Sequence, residues 1–199
     1  MTRPHVGKAR RLAVERVVSA LRAKLAGAIT TAKTESTTPT IFLPAPPDEA
    51  IIAGDPEDPE QVVRNHPVVC FVWPGSRRVV SESSGGLTTY GALFELDMEV
   101  VMLFQAGMPE RLADADGVAL EQEAEMRRRA ELYTEAIVTT VLTYGCFKNA
   151  NHQIRLESDD ALAIYLDERG GGTGPLGIAA ATFTITQKCD VPSRIESLA

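Results

Sequence analysis

The 199-residue sequence predicts an α+β fold: an antiparallel sheet with two long helices packed on one face, a long projecting hairpin and a proline-rich arm. Three observations predict it. Apolar residues recur every three or four positions in two well-separated stretches, the mark of helices buried along one side. Other stretches alternate apolar and polar residues with period two, as strands with one buried face do. The elements run helix, arm, strand, loop, long strand, helix, strands, with no internal repeat. That order places both helices on one side of an antiparallel sheet, not on both sides of a parallel one.

The first helix is expected over 6–32. Val14, Val17, Val18, Leu21, Leu25 and Ala28 form its apolar stripe, and basic residues fill much of the remainder. A Ser/Thr-rich stretch ending at Pro39-Thr40 closes it. An arm or loop follows over 43–65, carrying Pro44, Pro46, Pro47, Pro56 and Pro59 among acidic residues. Such a segment neither continues a helix nor joins the middle of a sheet.

Sheet and second helix are assigned to 67–188. Pro67 to Trp73 is fully apolar after its proline and reads as a buried strand that Pro74-Gly75 stops. Ser76 to Gly86, with four serines, two arginines and a Gly-Gly pair, reads as a hairpin tip or flexible loop. Leu93 to Phe104 is the clearest strand: Phe94, Leu96, Met98, Val100, Met102 and Phe104 share one face, and Glu95, Asp97 and Glu99 the other. The second helix spans about Val118 to Tyr144, with Asp114 or Asp116 as its cap and Gly145 as its stop. Its stripe is Met126, Ala130, Tyr133, Ile137, Val141 and Tyr144, while Arg127, Arg128 and Arg129 read as exposed partners for Glu131 and Glu135. Gln153 to Leu156 and Ala161 to Leu166 read as two short strands. Ile178 to Gln187 reads as the last, with Thr182, Thr184 and Thr186 outward and 189–199 left as a C-terminal tail.

Composition narrows the function classes. Hydrophobic residues make up 44% of the chain and charged residues 24%, enough apolar matter for a core and inconsistent with a disordered chain. No run approaches the roughly 18–20 apolar residues that span a bilayer, and the basic N-terminus lacks the apolar core of a signal peptide. Cys70, Cys146 and Cys189 are three unpaired positions, as expected for reduced thiols in a cytoplasm-like compartment. Net charge is −7, unevenly spread: residues 1–33 hold eight Lys/Arg and one acid, so that segment carries +7 and the rest −14. A basic helix of this kind is either a solvated face or a docking surface for an acidic partner, including the acidic body of a second copy. The absence of aromatic residues among these cations argues against specific nucleic-acid recognition.

Catalytic patterns fare poorly. His5, His66 and His152 are scattered and no cysteines stand at zinc spacing, so no metal site is expected. Asp114-Ala115-Asp116-Gly117 lacks the remaining ligands of a calcium loop. The glycines of 170–174 lack the Lys-Ser/Thr of a phosphate loop, and no nucleophile elbow occurs. Glu95, Asp97 and Glu99 would lie about 7 Å apart along one strand face, a spacing a carboxylate-pair hydrolase could use. The same stripe also suits a solvent face, an interface or a channel lining. No catalytic residue and no cofactor are expected.

The order of basic helix, Pro-rich segment, apolar strand ending at Trp73, Ser/Gly loop, long strand Phe94 to Phe104, helix with Arg127 to Tyr144, and Thr-alternating strand Thr182 to Gln187 resembles the tail-terminator (tail-completion) proteins of long-tailed bacteriophages. It is also similar to the related neck proteins. The resemblance covers most of residues 6–188 and rests on element order. It implies a structural virion protein, formed in the host cytoplasm. Six copies would make a ring that ends tail-tube polymerisation and meets the tail-tube protein and the head-tail connector, with DNA passing through unread. In such a ring Arg10, Arg11 and Arg22 would face acids of the next subunit, Glu95, Asp97 and Glu99 would form a lumen or interface stripe, and Arg77 and Arg78 would contact tube or connector. Three other readings stand beside it: a neck adaptor ring, a small hydrolase using Glu95 and Asp97, and a monomeric binding domain whose loops at 43–65 and 74–90 hold a ligand.

Overall fold

Thirty residues with no proline, Val6–Glu35, form helix α1. In a computed structural model the structure describes residues 6–36, 41–54, 65–84, 89–105, 118–144, 152–165 and 176–192. After α1 come a short 3-10 turn at Asp48–Ala50, β1 (Ile51–Ala53), β2 (Val68–Ser84), β3 (Thr89–Gln105), helix α2 (Val118–Tyr144), β4 (His152–Tyr165) and β5 (Leu176–Pro192). The five strands form one sheet in the order β1-β2-β3-β5-β4. All neighbours are antiparallel except β1 and β2, which run parallel with Ile51 opposite Cys70. The fold is α+β, two helices on a mixed, mostly antiparallel sheet.

Both helices lie on one face. α1 sits toward β1 and β2, α2 over β5 and β4. They run antiparallel: Lys24 lies over the Tyr144 ring at 5.5 Å, and Arg128 donates to the Ser36 hydroxyl at 3.2 Å. The main core fills the space between. Leu21, Leu25 and Ile29 from α1 and Tyr133, Ile137 and Val141 from α2 meet Val68, Cys70 and Val72 of β2, Leu96 to Phe104 of β3, and Ala179 to Ile185 of β5. Small residues on β5 let α2 approach closely: a Cβ on Gly177 would stand 2.3 Å from the Phe104 ring and 2.9 Å from the Met126 methyl. A smaller core of Ala50, Val69 and Phe71, with Ile52, Trp73 and Leu103 against it, lies on the opposite face. There Phe71 and Trp73 stack at 5.9 Å, and the Trp73 indole donates to the Gly54 carbonyl.

Several boundaries differ from the sequence expectation, each for a local reason. Helix α1 continues to Glu35, and the hydroxyls of Thr30, Thr31 and Thr34 are satisfied within it on the carbonyls four residues earlier. The arm 43–65 is not all irregular: its Asp48–Ala53 part is a 3-10 turn and a parallel edge strand, so the sheet is mixed, not purely antiparallel. Residues 55–64 of that arm lie outside the described residues.

Pro74-Gly75 does not stop β2. The register shifts between Pro74 and Arg77 and again between Val79 and Ser81, so the interruption is absorbed as irregularity and pairing resumes to Ser84 opposite Tyr90. A proline is tolerated there because β1 reaches only Val72, which leaves this part of β2 without a described neighbour on that side. The expected 76–86 loop is therefore strand over most of its length. The hairpin does not project alone either, since β5 pairs with β3 as far as Pro192 opposite Thr89. The tail assigned to 189–199 thus begins as strand; 193–199 lie outside the described residues. The two short strands expected near 153–166 are one strand, with register shifts between Leu156 and Ser158 and between Ala161 and Ile164.

Candidate functional site

Period-two alternation places Glu95, Asp97 and Glu99 of β3 on the sheet face away from the helices, all half-buried. In register they oppose Thr186, Thr184 and Thr182 of β5. Beyond β5, Gln153 and Arg155 of β4 stand opposite Thr186 and Thr184. The result is a polar field of carboxylates and hydroxyls on the half of the sheet not occupied by the small Phe71–Trp73 core.

Glu95, Asp97 and the neighbouring Glu157 have partners. Arg78 on β2 pairs with Glu95 at 2.5 Å. The Glu95 carboxylate, through its hydrogen bond and its charge, raises the guanidinium pKa above its ordinary value. The Thr184 hydroxyl donates to Asp97 at 3.4 Å. On β4 Arg155 donates to Glu157 at 2.6 Å, and that bond, helped by the Thr184 hydroxyl, holds the Glu157 carboxyl below the usual range. Cation, acid and hydroxyl therefore alternate across the strands, which stiffens the face and mutes its charge without removing it.

The three arginines expected to face a neighbouring subunit, Arg10, Arg11 and Arg22, separate into two groups. Arg10 donates to the Pro74 carbonyl at 2.5 Å, and Arg22 to the Ile51 carbonyl at 2.8 Å. Both acceptors lie where the sheet ends, so these cations satisfy edge carbonyls and clamp α1 to the β1–β2 side of its own chain. Among the described residues Arg11 makes only an exposed pair with Glu15 at 3.5 Å. Arg78 is exposed; the Arg77 side chain falls outside the described side chains.

Among the described residues no three His, Cys, Asp or Glu come together to hold a metal ion, and no helix is long and apolar enough to cross a membrane. His5, Cys146, the Asp114–Gly117 segment and the glycines of 170–174 lie outside the described residues. Cys70 and Cys189 are buried thiols that form no disulfide among the described residues, and burial pushes the Cys70 thiol up to about 12. Glu95 and Asp97 line neither of two surface grooves. One, of about 430 Å³, lies between Glu15, Arg22 and Asp48 at the α1 edge. The other, of about 310 Å³, lies between α2 and β4 and is lined by Glu131, Thr134, Glu135, Val138, Thr139 and Asp159.

Two features escaped the sequence reading. Arg129, expected as an exposed ion-pair partner, is 2% exposed. Its guanidinium lies over the rings of Phe104 and Phe42 and toward the Tyr133 phenol. Its position on the buried stripe, three residues after Met126 and four before Tyr133, was the available signal. The α2–β4 groove was missed because β4 meets α2 only in the folded chain. No protein-family model and no curated protein matches this sequence.

Proposed function

We propose that the chain is a structural component of a long-tailed phage virion, a ring-forming tail terminator that ends the tail tube and meets the head-side connector. The observation that supports this reading best is the pairing of a two-layer α+β body with a polar outer sheet face, where Glu95, Asp97 and Glu99 are set among threonines and arginines. A half-neutralised acidic face repels the phosphate backbone enough to let DNA slide past and offers it no cationic groove in which to stick. The long strands β2, β3 and β5 give each subunit the reach to line such a passage: 17 residues each span roughly 55 Å.

Native mass is the test. Size exclusion with light scattering, at low and high salt, should read a discrete species near six times the 21.5 kDa chain, and negative-stain images of that peak should show a ring with a central opening. A 21.5 kDa species at every concentration and salt overturns the reading.

A further inference from the structure

An acidic groove and a basic helix end lie on different parts of the domain surface. The sheet order β1-β2-β3-β5-β4 puts β1 and β4 at its two ends, with α1 toward the first and α2 over the second. At the α2 edge, Glu131 and Glu135 stand one helical turn apart and Asp159 faces them from β4 across the groove of about 310 Å³. All three are exposed. Thr134 lines the same groove and is 5% exposed, yet its hydroxyl has no hydrogen-bond partner. A buried hydroxyl left unpaired is costly, and an incoming ammonium or guanidinium supplies the donor it lacks. Acid walls and an unpaired buried acceptor together describe a seat for a basic side chain.

At the N-terminal end of α1, where Ala9 packs on Phe94 and Cys189, Lys8 and Arg11 are exposed on the first turns of the helix. Among the described residues Arg11 is held only by Glu15, in a pair with both side chains more than half exposed, the kind of contact worth little in water. Arg10 and Arg22, bonded to Pro74 and Ile51, hold α1 so that this turn stays presented.

We propose that the α2–β4 groove is the docking site for the N-terminal helix of a second copy of this chain, with Lys8 and Arg11 of one copy set against Glu131 and Glu135 of the next. The inference rests on the ring reading and supplies its contact. Because the two surfaces differ, the contact is heterologous, and repeating it closes a ring where the rotation permits. Charge at the rim of such a contact makes assembly sensitive to salt.

The experiment uses two full-length variants, Lys8→Glu/Arg11→Glu and Glu131→Lys/Glu135→Lys, with native mass measured for each alone and for an equimolar mixture. All four positions are exposed, and circular dichroism of each variant checks that the fold is kept. Each variant alone is expected at 21.5 kDa, since its helix and groove now carry like charge. Mixed, the acidic helix of the first fits the basic groove of the second and the reverse, so the assembly returns as alternating copies. Folded single variants that assemble like the wild type overturn the groove contact and leave the ring reading standing. So do variants that stay apart when mixed. A wild-type chain that is a monomer throughout overturns both, and the groove's basic partner is then another protein.

Discussion

The guanidinium of Arg129 lies 4.9 Å from the centre of the Phe104 ring, in the interior where α2 crosses the end of β3. The Phe42 ring covers it from the other side at 5.9 Å. The Tyr133 phenol beside it donates to the Pro44 carbonyl at 2.7 Å. Arg129 and Tyr133 thus pin the segment after α1 against the core. No carboxylate bonds Arg129 among the described residues, and its Nε has no partner. A buried cation held by π faces, the Met126 sulfur at 3.9 Å and the Tyr133 phenol gives up much of its hydration for modest attraction.

Substitutions at Arg129 should therefore separate volume from charge. Arg129→Ala leaves a cavity and frees Phe42, and should cost about 2–4 kcal/mol in urea unfolding. Arg129→Met keeps the stem and removes the buried charge, and should lie within about 1 kcal/mol of wild type. A Met variant as unstable as the Ala variant would assign the stabilisation to the cation.

Gly177 tests the close approach of β5 to Phe104. Its added methyl would stand 2.3 Å from the ring, so Gly177→Ala must push Phe104 or lift α2. The cost should be about 1–3 kcal/mol, the range of overpacked cores. Gly27, with nothing within 4 Å of its would-be Cβ on the exposed side of α1, is the control, where alanine should stabilise by about 0.5–1 kcal/mol.

Acid pH should weaken the β4 side of the sheet. The Glu157 carboxyl lies below its ordinary 4.5 in the folded chain, chiefly through the bond from Arg155. A depressed carboxyl stabilises the fold above its unfolded pKa, and that contribution fades as pH falls through the folded value. NMR titration of Glu157 should place its midpoint under 4.5, and Arg155→Met should raise it. A midpoint unmoved by that substitution would remove Arg155 as the cause.

Alkaline pH acts through the core. The Cys70 thiol and the Tyr133 phenol are both pushed up to about 12 by burial, the phenol against the downward pull of Arg129. Groups raised on folding stabilise fully below their unfolded pKa, and that contribution is lost as pH rises through the folded value. Stability should hold up to about pH 9 and fall beyond it. Cys70→Ala should reduce the slope. A native chain whose Cys70 reacts with a thiol reagent as fast as the unfolded chain would contradict this burial.

The elements whose period matches their burial were legible in the sequence. Met126, Ala130, Tyr133, Ile137 and Val141 are all buried as the α2 stripe required, and the alternating face of β3 from Phe94 to Phe104 is buried throughout. Tyr144, the last of the expected stripe, is 44% exposed, with the Lys24 ammonium over its ring. The acidic row was legible too: with Phe94 and Leu96 inward, Glu95 and Asp97 must face the other way. Its partners were not. Arg78 reaches Glu95 only because the strand resumes after Pro74-Gly75, and proline and glycine read locally as a stop.

Sequence by itself determined which residues seek the interior and at what period, because hydrophobic spacing is a property of neighbours along the chain. It thereby determined the α+β class, both helices and the main strands. Tertiary structure alone decided where those elements meet. That Arg10 and Arg22 spend their charge on edge carbonyls, that Arg129 is sealed between two rings, and that Asp159 faces Glu131 and Glu135 across a groove all depend on contacts between segments far apart in sequence. Such contacts are selected by packing and by the need to satisfy every buried or edge polar group, and no local pattern records them.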